Sequence, residues 1–88
     1  TAIWQYGRTL HAFRTGGPNK RAKKLLTGSL KGNPHVPAYL IGTKRLPRQL
    51  PDLIGVGHES EATYCAASQL LAWSSSAGAL EWLASQTA

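Results

Sequence analysis

The chain has 88 residues, enough for one domain, and contains no Met, so it reads as a fragment, a processed product or the ordered part of something longer. No run approaches the ~18 apolar residues of a membrane helix, and no basic-then-apolar signal peptide is visible. A lone Cys65 excludes an internal disulfide framework and suits a reducing cytosol, so a cytoplasmic location is expected.

From Ile3 to Arg14, apolar residues at Ile3, Tyr6, Gly7, Leu10 and Phe13 keep helical spacing and predict one core-facing stripe. Thr15, Gly16, Gly17 and Pro18 break it with a tight turn, Pro18 being suited to a helix start. A second helix is predicted from about Pro18 to Lys31. Its Ala22, Leu25, Leu26 and Ser29 share a face, with Leu30 beside them. Lys20, Lys23, Lys24 and Lys31 occupy the opposite face, with Arg21 at its flank. The small Ala22 and Ser29 invite close approach of the partner helix. Gly32, Asn33 and Pro34 end the helix, because proline disfavours helical backbone in the residue before it.

A short helix is predicted over Pro37 to Ile41, stopped by Gly42. Between Thr43 and Gly57, Pro47, Pro51, Gly55 and Gly57 forbid a long helix, yet Leu46, Leu50, Leu53, Ile54 and Val56 are too apolar for a free linker. The expectation is an extended strap that lies across the hairpin and buries those side chains. Glu59, Ser60 and Glu61 read as a capping, dipole-favourable first turn. Ala62, Cys65, Ala66, Gln69, Leu70 and Trp73 form the stripe behind it. Ser74 to Ser76 break the pattern, Ser76 capping a last helix through Ala79, Leu80 and Leu83. The class is all-α: a hairpin and the start of a third helix over 1–42, a strap over 43–57, and C-terminal helices over 58–88.

Two helices of this length followed by a proline match the ~34-residue tetratricopeptide period. Setting the helix-ending proline on Pro34 puts the small helix-B positions on Ala22 and Ser29 and the helix-A aromatics on Tyr6 and Phe13. The repeat is degenerate at Leu10, where glycine is usual, and at Leu26, where an aromatic is favoured. The run Asn33-Pro34-His35-Val36-Pro37-Ala38-Tyr39-Leu40 resembles the end of the repeat region in the suppressor-of-tumorigenicity-seven family and its bacterial tetratricopeptide relatives. Leu50-Pro51, Gly57, Ser60-Glu61-Ala62, Tyr64, Leu70, Trp73, Gly78-Ala79-Leu80 and Leu83 follow in the same order. The resemblance covers Asn33 to Leu83. It implies a terminal cap on a repeat array and brings no catalytic residues. Membrane segments of the animal members are not carried over.

Candidate chemistry is sparse. His11, His35, His58 and Cys65 are widely spaced, lack a Cys-x-x-Cys pair, and read as three partly exposed histidines and one packed thiol rather than a zinc site. Gly16, Gly17, Pro18 and Lys20 lack the full phosphate-loop pattern and read as an interhelical turn. Ser74 to Ser76 have no Gly-x-Ser-x-Gly context.

Charge is more informative. All 10 Lys and Arg lie at or before Arg48, whereas Asp52, Glu59, Glu61 and Glu81 all follow it. Such a split suits a polyanion surface or attraction between two parts of the chain. Lys20, Arg21, Lys23, Lys24 and Lys31, with Lys44, Arg45 and Arg48 in the strap, form the candidate surface for a polyanion or a protein partner. The expected function is a non-enzymatic protein-interaction scaffold without cofactor, capping a tetratricopeptide-like array. Self-association would use the Ile3, Leu10 and Phe13 face. The alternative is an accessory nucleic-acid-binding module using the basic helix.

Overall fold

Glycine and proline punctuate five helices in the computed structural model, which describes residues 1–87; Ala88, the last residue of the expected segment 58–88, lies outside them. The helices are α1 (Ala2–Gly16), α2 (Lys20–Gly32), α3 (Val36–Ile41), α4 (Glu59–Ser75) and α5 (Ala79–Thr87). No strand occurs among the described residues, so the chain is all-α.

α1 ends where Gly17 takes φ 73°, a value costly for a side-chain-bearing residue, and gives its N–H to the Phe13 carbonyl at 2.7 Å. α2 begins two residues later than expected. Its cap is Asn19, whose Oδ1 accepts the Ala22 N–H at 3.0 Å, and Pro18 stays in the turn. The two helices pair antiparallel: the Tyr6 hydroxyl donates to the Asn33 carbonyl at 2.6 Å, and the Thr9 and Ser29 hydroxyls share a hydrogen bond of 2.9 Å. Ala22 and Ser29 are buried at this contact, as their small size predicts.

α4 then lies along α1 in the parallel sense. Ala2 meets Glu61, Gly7 lies against Gln69, and past the end of α4 Phe13 lies against Gly78, so residue numbers climb together. Gln69 joins the helices: its amide donates to the Ile3 carbonyl at 2.7 Å, and its Oε1 accepts from the Trp73 indole at 3.2 Å. α3 packs on α4 and α5, and α5 also touches α1. The core between them holds Tyr6, Leu26, Val36, Cys65, Trp73 and Leu83, all buried.

Three expectations are corrected. The Ile3, Leu10 and Phe13 stripe does not form one exposed face. Leu10 and Phe13 are buried, Phe13 stacking on Trp82 of α5 at 5.0 Å between ring centroids, and only Ile3 stays outside. The strap does not bury its apolar residues as a set. Leu46, Leu50 and Pro51 are half-buried, but Leu53, Ile54 and Val56 are 85%, 52% and 73% exposed. Tyr64 holds the segment through the Pro51 carbonyl at 2.6 Å, and the Gly55 N–H reaches Ser60 Oγ at 2.8 Å. Between those ties its side chains point outward. Ser76 does not cap α5; its hydroxyl donates back to the Ala72 carbonyl at 2.7 Å and closes α4.

Glu59 and Glu61 stand in the first turn of α4, as the dipole-favourable reading expects, but the capping differs. No side chain caps α4 at His58. Glu61 instead collects separate parts of the chain: its carboxylate accepts from the Ala2 N–H at 3.2 Å, the Gly57 N–H at 3.0 Å and the Asn33 amide at 3.0 Å. Asn33 also donates to the His58 carbonyl at 2.8 Å. Burial by itself would raise the Glu61 carboxyl, but the hydrogen bonds from Gly57, Asn33 and Ala2 outweigh it and hold the group below the usual carboxylate range.

Candidate functional site

The amphipathic pattern of α2 decides where the basic side chains go. Ala22, Leu26 and Ser29 are buried against α1, which turns Lys20, Arg21, Lys23, Lys24 and Lys31 into solvent. Arg45 and Arg48 are exposed in the segment after α3. Lys44 is exposed too, but it is engaged: its ammonium forms an ion pair with Glu59, and the Tyr39 hydroxyl donates to the same carboxylate oxygen at 3.2 Å. The hydrogen bond to Glu59 raises the Lys44 ammonium, and the same bond lowers the Glu59 carboxyl. Lys44 therefore leaves the candidate surface as a free cation. It is the one ion-paired base among the described residues.

Of the remaining predicted residues, the structure gathers Arg21 and Lys24 around two adjoining hollows between α1 and α2. One, of about 210 Å³, is bordered by Trp4, Arg8, Lys24, Leu25 and Gly28. The other, of about 340 Å³, is bordered by Ile3, Trp4, Gly7, Arg8, Arg21 and Leu25, with His11 at its edge. Trp4 and Arg8 form the ridge between them, the guanidinium lying 4.7 Å from the indole centroid. Trp4 is 61% exposed and Ile3 is 49% exposed. Arg8 was missing from the predicted surface, although Trp4 and Arg8 stand at the i, i+4 spacing that places two side chains together on a helix.

Other candidate groups sit apart. His11 and His58 are exposed, His35 is half-buried, and no His, Cys, Asp or Glu cluster among the described residues could hold a metal ion. Cys65 is fully buried, and burial pushes its thiol up to about 12, with the Glu61 charge adding to the effect. At the turn before α2, Asn19 occupies the Ala22 N–H and donates to the Gly16 carbonyl at 3.3 Å, which fits an interhelical turn. Ser74 and Ser75 each donate to a carbonyl of their own helix. Among the described residues no helix is long and apolar enough to cross a membrane.

Fold and surface together define a small all-α chain with a basic, partly aromatic groove. Compared with known proteins, it matches no family model, no curated protein and no solved structure.

Proposed function

We propose that the chain is a protein-interaction scaffold, a degenerate tetratricopeptide-like unit that caps a longer helical array and has no catalytic activity of its own. The observation that carries this reading is the parallel stacking of α1 and α4, with α2 returning antiparallel on α1. Stacked helix–turn–helix units bury their apolar faces on their neighbours in this way. Ala2 and Glu61 are 59 residues apart, longer than the ~34-residue period, because α3 and the segment 42–58 intervene. The buried Tyr6, Phe13, Ala22 and Ser29 suit the repeat's core positions, and the ordered run from Asn33 to Leu83 adds the family resemblance. The single unpaired thiol suits a cytoplasmic setting. Selection of random displayed peptides on the folded chain, with hits mapped by amide chemical shifts, tests the reading. Ligands that shift α1 and α2 are expected; a selection that enriches nothing rejects it.

A second reading, nucleic-acid binding, draws on the five exposed cations of α2, none paired with a carboxylate among the described residues. Neutralising five phosphates would give a log–log salt slope of about −4. Gel shifts at low salt decide between them. Tight, steeply salt-dependent binding lost in Lys20→Glu, Lys23→Glu and Lys24→Glu together would favour this second role.

A further inference from the structure

We infer that the twin hollows at the Trp4–Arg8 ridge are a docking site for an acidic peptide segment carrying one large apolar anchor residue, an inference that rests on the scaffold reading above. Much of the lining is apolar or side-chain-free, with Gln5 and Ser29 adding polar groups to the smaller hollow. Leu25 is half-buried between them, Gly7 borders one, and Gly28 borders the other with open space where a Cβ would stand. Their volumes suit a single Leu-, Phe- or Trp-sized side chain. An exposed indole beside such a hollow is the kind of element that contributes most at an interface once water is excluded.

Charge chooses the partner. Arg8, Arg21 and Lys24 rim the hollows, and neither α1 nor α2 contains an acidic residue. The chain's own carboxylates are poorly placed to answer them. Glu61 is buried and accepts three hydrogen bonds, and Glu59 is held by Lys44. That leaves the isolated Asp52 and Glu81, both exposed. A second copy would therefore bring few free acids, and a two-fold contact of this face with itself would set cation against cation. A nucleic acid fits less well. Arg8 already covers one face of the Trp4 ring, and Lys20, Lys23 and Lys31, which would extend a phosphate track, border neither hollow.

The test uses a short fluorescein-labelled peptide in which a single Phe is flanked on both sides by Glu, read by anisotropy at low salt. Versions with Gln for Glu and with Ser for Phe are expected to bind about tenfold more weakly or worse, as is the parent peptide to Trp4→Ala. Arg8→Glu combined with Lys24→Glu should remove binding by about a hundredfold, while Lys31→Glu stays within about twofold. All these positions are exposed, and circular dichroism verifies that the helices persist. Equal binding of the Gln peptide, an equal loss in Lys31→Glu, or a single-stranded DNA oligonucleotide that binds more tightly through Arg8 and Lys24 would each overturn the inference. Displayed peptides without carboxylates that shift the Gly7 and Gly28 amides would also overturn it, yet would leave the scaffold reading standing. If neither designed nor selected peptides bind, both fall.

Discussion

Removing the Glu61 carboxylate tests the junction on which the fold depends. In Glu61→Ala the N–H groups of Ala2 and Gly57 lose their acceptor, and the Asn33 amide keeps only the His58 carbonyl. A buried donor left without a partner costs about 1–3 kcal/mol. Two orphaned N–H groups, one buried and one partly buried, then sum to about 3 kcal/mol. For 88 residues the whole stability is of order 4–13 kcal/mol, so this loss is large. Glu61→Gln keeps the shape, but its amide nitrogen must face one donor, at a cost of about 1.5–2 kcal/mol. The pH dependence has a definite sign. The folded carboxyl is held below its unfolded value, so its stabilisation is present above about pH 4.3 and is lost as pH falls through the folded value. Urea unfolding followed by circular dichroism from pH 7 down to pH 3 should show wild type and Glu61→Gln converging in acid. A Glu61→Ala loss below about 0.5 kcal/mol, or a gap that stays constant with pH, would refute the reasoning.

Other consequences are as direct. Trp82→Ala removes the stack on Phe13 and should cost about 3–4 kcal/mol in denaturant melts, whereas Trp4→Ala, at an exposed ring, should change stability by no more than about 0.5 kcal/mol. Ser29→Leu forces a larger side chain between α1 and α2 and should cost at least 1–3 kcal/mol by the same measurement, roughly the range for overpacked cores. The Cys65 thiol stays protonated in the fold, so above about pH 8.5 only the unfolded chain loses that proton and stability falls, by up to ~1.4 kcal/mol per pH unit. Cys65→Ala should flatten that alkaline slope, and a thiol reagent should label wild type no faster than the chain unfolds.

Periodicity made the helices legible, because a repeating apolar face is a local property. Which neighbour covers that face is not local. Leu10 and Phe13 read as part of a stripe awaiting another copy, since nothing in their own helix announces Trp82, nearly seventy residues on. Trp82 itself could have been found, for it stands three residues after Ala79 and beside Leu83 on the buried side of α5. The strap misled through composition: Leu53, Ile54 and Val56 are apolar, but a bent and turning segment tied near Pro51 and Gly55 has no continuous inner face to give all of them. Glu61 read as a helix-start acid, and its partners at Ala2 and Asn33 lie 59 and 28 residues away. The basic face of α2 was visible in full; its convergence with Arg8 and Trp4 required the hairpin to close.

The 17-residue connection between α3 and α4 is tied at Lys44, Pro51, Gly55 and Gly57, and Asp52 to Ile54 lie exposed between two of those ties. Doubling such a loop costs only ~0.6 kcal/mol in closure entropy. Extra sequence introduced around Leu53, between the tether at Pro51 and the one at Gly55, would leave α1 and α4 in register. The stack can therefore carry an inserted segment, even a second folded body, as cargo at this position without being rebuilt to hold it.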